Sequence, residues 1–152
     1  MKKTVLLAGF VMGLFADTAF AAGLYDAIYQ LPGTQEFYSV HQSGNSLIVG
    51  NFITQQGFQV NAPLSNGQQF TTPRLDYWNL FSGPLNGATA SLQGEAVFGA
   101  CYITETVTFS ASGAAAVINS ATNTAAGNAQ GIDCPGLFGG FVGNPFPWTK
   151  VF

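Results

Sequence analysis

Three observations predict an all-β, single-domain fold for this chain. Beyond the first twenty-odd residues no stretch repeats its apolar positions with the 3.6-residue period of an amphipathic helix, whereas several alternate with period two. The turn dipeptides Pro32-Gly33, Gly44-Asn45, Asn66-Gly67 and Asn86-Gly87 punctuate those stretches. Successive candidate strands have no helical segment between them, and a parallel sheet requires a crossover there. Together these predict an antiparallel β-barrel or sandwich of about seven or eight short strands, with a barrel in meander order preferred.

The leader comes first. Lys2 and Lys3 form a basic start, Val5 to Phe15 an apolar run, and Ala19-Phe20-Ala21 a small-x-small cleavage site, which together read as a secretory signal peptide over residues 1–21. Asp17 interrupts the run before the roughly 20 residues that a bilayer core requires. The mature chain is expected to begin at Ala22 and to be exported from a bacterial cell, to the periplasm or beyond. Its β domain is expected over 22–134, with a Gly/Pro/aromatic tail over 135–152 packed irregularly on it.

Leu24 to Leu31 is the first expected strand, ended by Pro32-Gly33. Phe37 to Gln42 and Ser46 to Thr54 flank Gly44-Asn45, a pair suited to the positive φ of a tight hairpin turn. In that register Gln42 opposes Leu47, His41 opposes Ile48, Val40 opposes Val49 and Phe37 opposes Phe52. One face then carries Phe37, His41, Ile48 and Phe52, and the other Tyr38, Val40, Leu47 and Val49. Phe58 to Val60 and Gln69 to Thr72 are weak strands around Asn66-Gly67, and Leu75 to Phe81 is a strong, aromatic one. Ser91 to Phe98 and Cys101 to Ser110 follow, with Gly99 between them as a bulge or bend. In the second of these, Ile103, Val107 and Phe109 alternate with Tyr102, Thr104, Thr106 and Thr108. Ala114 to Asn119 is the last expected central strand, and the small residues of Ser120 to Gly131 read as a loop.

Charge narrows the partners. After the leader six acids (Asp26, Glu36, Asp76, Glu95, Glu105, Asp133) face two bases, Arg74 and Lys150. Two cations cannot neutralise a row of phosphates, so nucleic acid is excluded, as is attraction to anionic headgroups. Only 7% of the chain is charged, against about 25% in a typical domain. A neutral polar surface of that kind suits a secreted or self-associating protein. Cys101 and Cys134 remain after cleavage, and an even pair in an oxidising compartment reads as a disulfide. Two cysteines and one histidine at unrelated spacings fit no zinc pattern, so neither metal nor cofactor is expected.

His41, the lone histidine, would have to serve as the base of any triad, with Ser39 beside it on the same strand face. No orienting carboxylate is signalled and no G-x-S-x-G elbow occurs, so His41 reads as a structural residue, half-buried or facing the barrel interior. Glu95 and Glu105 are the acids a glycosidase pair would draw on, but they read as solvated strand residues. Thr104, Thr106 and Thr108 form a single T-x-T-x-T face, too little for an ice-binding array, and read as an ordinary solvent-facing row. Aromatics give the better signal. Tyr77, Trp78 and Phe81 share one strand, and Trp148 lies in the tail; such rings build β cores, or stack on sugars and line apolar cavities.

The function expected from these residues is non-catalytic: binding of a small apolar or glycan-like ligand through Tyr77, Trp78, Phe81 and Trp148, or self-association. A small outer-membrane barrel is the alternative, suggested by the aromatic Phe152, although Lys150, Pro145 and Pro147 suit a closing membrane strand badly. A secreted hydrolase is the third reading.

Overall fold

The computed structural model describes residues 23–53, 61–71 and 77–152. The leader, the cleavage point before Ala22 and the expected strand from Phe58 to Val60 lie outside them. Among the described residues the chain forms, in order, β1 (Ala27–Gln30), β2 (Glu36–Ser43), β3 (Ser46–Ile53), β4 (Asn61–Pro63), β5 (Gln69–Thr71), β6 (Tyr77–Asn86), β7 (Thr89–Ala96), β8 (Cys101–Phe109), β9 (Gly113–Asn123), the short helices α1 (Ala125–Gln130) and α2 (Cys134–Phe138), and β10 (Pro145–Lys150).

Eight of these strands close into an antiparallel barrel, in the wall order β1-β10-β9-β8-β7-β6-β3-β2. Apart from the closing β1–β10 pair, neighbours in that wall follow one another along the chain, with the small β4–β5 hairpin and the two helices leaving it and returning. The fold is therefore the meander barrel that the alternation predicts, and closure removes the exposed edges an open sheet of this kind would carry. The first hairpin has the expected register throughout, Val40 opposite Val49 and Phe37 opposite Phe52. Gly44 turns the chain with φ +58°, a conformation that strains any side chain with a Cβ. Tyr38, Val40, Leu47 and Val49 are buried inside, whereas His41 and Ile48 face out.

Three expectations are corrected. The stretch from Ser120 to Gly131 is not a loop: β9 runs on to Asn123, and α1 follows. Thr124 caps that helix by accepting a hydrogen bond from the Gly127 N–H (3.1 Å). Gly127 packs so closely on the β7–β8 turn that a Cβ there would lie 2.1 Å from the Ala100 carbonyl. A six-residue helix of Ala, Gly, Asn and Gln is too short and too uniform to show a period.

The tail is not irregular either, because β10 is the strand that closes the barrel between β9 and β1. Antiparallel residues point their N–H alternately to one neighbour and the other. Lys150 donates to Ser112 on the β9 side (3.2 Å) and Val151 to Ile28 of β1 (2.9 Å), which places the missing donors of Pro145 and Pro147 on the β1 side. There β1 has already ended, at the Gln30–Thr149 pair. The prolines thus remove no ladder bond.

The third correction concerns the β7–β8 connection, where β7 stops at Ala96 and the bend is wider than Gly99. Val97, Phe98 and Gly99 all take left-handed conformations, with φ of 53°, 56° and 79°. Such a backbone is rare for phenylalanine and an outlier for β-branched valine.

The two ends of the barrel differ. At one lie the short turns after β2, β6 and β8, together with both chain ends of the described barrel. The interior there is filled by a continuous aromatic chain: Tyr25 stacks on Phe109 (4.6 Å between centroids), Phe109 meets Tyr29, Tyr29 meets Trp148, and Trp148 stacks on Tyr38 at 4.0 Å. Leu47, Leu85, Ala90 and Val107 pack around it. At the opposite end lie the longer connections after β1, β3, β7 and β9, and the interior beneath them is hollow. Among the described residues no helix is long and apolar enough to cross a membrane.

Candidate functional site

The hollow end encloses a cavity of about 360 Å³, at the lower end of the roughly 300–1,000 Å³ of small-molecule sites. Its wall is apolar over most of its extent, with Phe81, Ile103 and Ile118 from the strands and Leu137, Phe138 and Phe141 from α2 and the turn after it. Period-two alternation explains the strand contribution: β6, β8 and β9 each send every second side chain inward.

Four polar side chains interrupt that surface: Glu36, Asn51, Asn79 and Glu105. Three are joined. The Tyr38 hydroxyl donates to Glu36 Oε1 (2.6 Å), Asn51 Nδ2 donates to the same oxygen (2.8 Å), and Asn79 Nδ2 donates to Asn51 Oδ1 (2.9 Å). Glu105 stands apart: its side chain lines the cavity, the residue is only 4% exposed, and its Oε1 has no hydrogen-bond partner. Burial, and after it the charge of Glu36, pushes the Glu105 carboxyl up from 4.5 to about 7. Among the described residues the cavity lining holds two carboxyl groups and no lysine, arginine or histidine.

The cover over this end is tied down at several points. Cys101 at the start of β8 and Cys134 at the start of α2 form the expected disulfide, with Cα atoms 5.6 Å apart. The bond marks a chain matured in an oxidising compartment. Thr124 Oγ1 donates to the carbonyl of Gly99 (2.6 Å), Cys134 N donates to Asn123 Oδ1 (3.0 Å), and Asp133 caps α2 by accepting from Gly136 N (3.0 Å). Ser65, beyond β4, donates to the Gly131 carbonyl (2.9 Å), so the β4–β5 hairpin joins the same cover.

No protein-family model, curated protein or solved structure matches this chain. The geometry therefore carries the functional reading. Of the residues expected to contact a ligand, Phe81 lines the cavity. Trp148 does not: it is 1% exposed and belongs to the filled end, with its indole Nε1 unpartnered. Tyr77 and Trp78 pair along the backbone with Ile53 and Phe52, and their side chains lie outside the described residues.

His41 neither faces the interior nor is half-buried, since its side chain is 66% exposed on the outer wall. A carboxylate does stand beside it, Asp26 Oδ2 at 3.4 Å from Nδ1. Burial raises the Asp26 pKa, but the N–H groups of Gln42 and Gly23 and the neighbouring His41 outweigh this and hold it below its usual value. The backbone bonds make Asp26 a clamp for the segment before β1. Glu95 is exposed outside as expected, whereas Glu105 is buried inside, which corrects its reading as a solvated residue. The two acids lie on opposite faces of the wall and do not form a pair. The threonine row does face outward, where Thr104 meets Ser120 (2.7 Å) and Asn119 Nδ2 donates to Thr106 (2.9 Å).

Glu36, Asn51, Asn79 and Glu105 are the polar residues that sequence reasoning did not select. Glu105 carried a signal: it shares its strand face with Ile103, Val107 and Phe109, so alternation alone turns an acid into the core. Asn51 sits likewise in phase with Leu47 and Val49. Among the described residues no cluster of three or more His, Cys, Asp or Glu is arranged to hold a metal ion.

Proposed function

We propose that the protein is a non-catalytic binding module, exported to the periplasm or beyond, that takes a small and mainly apolar ligand into the hollow end of its barrel. The observation that carries this reading is the contrast inside one barrel: buried aromatic rings in mutual contact fill one half, while the other half keeps about 360 Å³ open beneath a cross-linked cover. Interiors of this size are ordinarily filled, because each lost contact costs stability. The left-handed Val97, which lines the cavity, adds to the argument, since backbone strain of about 1–3 kcal/mol gathers at functional sites. An apolar wall favours an apolar ligand over a glycan, whose many hydroxyls would each need a partner.

The outer surface speaks against the outer-membrane alternative. A membrane barrel carries a continuous apolar band outside, whereas here Ser39, His41, Ser82, Ser91, Gln93 and Thr108 are exposed on the wall and separate the outward Ile48, Leu80 and Tyr102.

Thermal denaturation with the neutral probe 2-phenylethanol tests the reading. Ligand at ten times its Kd stabilises a two-state protein by about 1.4 kcal/mol, a rise of a few degrees in Tm. The rise is expected in the native protein and absent from Ala96→Leu and Leu137→Trp, which fill the cavity from the wall and from the cover. Absence of any rise in the native protein, with no shifts of cavity residues by NMR, rejects it.

A further inference from the structure

We propose that the ligand of this cavity carries a protonated amine: a small alkyl- or arylalkyl-ammonium compound whose apolar body fills the cavity and whose ammonium group lies between Glu105 and Glu36. This deepens the binding reading and rests on it. Among the described residues the cavity wall offers two carboxyl groups, one with an oxygen that has no hydrogen-bond partner, and no positive side chain. A buried carboxyl with an unsatisfied oxygen, in a cavity lined by Phe81, Ile103 and Ile118, is a costly arrangement. A hydroxyl would offer it one proton to share. An ammonium offers three, and it also cancels the mutual repulsion of the two acids, which apolar walls leave poorly screened.

The polar groups already present point the same way. Glu36 is held ready, its Oε1 accepting from both the Tyr38 hydroxyl and Asn51 Nδ2, so its position is set before any ligand arrives. Asn79 spends an amide proton on Asn51 and not on Glu105. The described donors of the cavity thus converge on Glu36 and leave Glu105 Oε1 without one. Among the described lining residues the titratable groups facing Glu105 across the cavity are Glu36 and Tyr38, both from β2, and those from the other elements are non-titrating.

Calorimetric titration of the full mature chain with 2-phenylethylamine, 2-phenylethanol and benzylacetone, at pH 5 and pH 8, tests the proposal. The amine stays protonated throughout, while Glu105 passes from neutral to charged. The amine is expected to bind at least tenfold more tightly than the alcohol at pH 8, with the preference shrinking severalfold at pH 5. Glu105→Gln should abolish the preference yet keep binding of the alcohol; Glu36→Gln should halve it or more, and serves if the first variant fails to fold. Equal affinities at pH 8, a preference for the ketone, or an amine preference that survives in both variants overturns the ammonium proposal while leaving an apolar site in place. Failure of all three probes to bind overturns the site as well.

Discussion

The closed and the open end of this barrel are built by the same strands and differ in what those strands turn inward. Toward the closed end β2, β8 and β10 contribute Val40, Phe109 and Trp148; toward the open end the same alternation delivers Glu36, Glu105 and Phe146. Large rings that meet across the axis make one half a core. In the other half the inward side chains, apolar ones with two acids and two amides among them, leave a cavity between them. A single wall therefore separates stability from binding by position along its strands, and substitutions at the two ends should have different consequences.

The largest effect is expected from Trp148→Ala. Removing a fully buried ring from a packed interior costs about 3–5 kcal/mol, whereas Phe138→Ala, at the half-buried edge of the cavity, should cost about 1 kcal/mol. Urea denaturation of both variants measures the contrast, and equal losses would mean that the two ends are not energetically distinct. Next comes the disulfide. Cys101 and Cys134 enclose a loop whose ends are 33 residues apart, for which the chain-entropy account gives about 3–4 kcal/mol. Cys134→Ser should lose that much stability, with the earliest amide exchange in α1 and α2; a uniform loss across the barrel would show that the cover is not a separate unit.

Glu105→Gln should act in the opposite direction. Below pH 4.5 the acid is neutral in both the folded and the unfolded chain. As pH rises from 4.5 to about 7 the unfolded chain gives up its proton first, so the native protein loses stability across that window, by roughly 3 kcal/mol in total. The glutamine variant should lack this decline and exceed the native protein in Tm at pH 8. A parallel pH profile for the two proteins would show that Glu105 titrates normally. The smallest effect belongs to His41→Ala. Its contact with Asp26 lies on an exposed surface, so the change should stay within about 0.5 kcal/mol, and ligand affinity should not move. A larger loss would give the outer wall an energetic role that the comparison denies it.

What could be read from the sequence follows the range of each interaction. The β2–β3 register was legible because Gly44-Asn45 fixes the turn and the apolar pairs on either side then have one alignment. The Cys101–Cys134 bond was legible because no third cysteine competes. The inward turn of Glu105 was equally local and was overlooked because acids are ordinarily solvated. The cavity was out of reach: Glu36 and Glu105 meet only through the stagger with which the barrel closes, which no local pattern encodes. For β10, the prolines obscured the strand, since their harmlessness depends on where β1 ends. The short α1 depends on a tertiary contact of Gly127 with Ala100.

The seam between β1 and β10 rests on two residue pairs, Tyr29–Lys150 and Gln30–Thr149, extended by main-chain bonds from Val151 and Phe152 to Ile28. Its partners are separated by almost the whole described chain, so β1 has nothing on one side of it until β10 has been synthesised. Until then the nascent sheet is an open ribbon with an unpaired edge and its aromatic lining without Trp148. Contacts of such long sequence separation are slow to form. The barrel is thus a structure that exists only once translation has reached its last strand, and a chain delivered across a membrane in extended form would close on the far side.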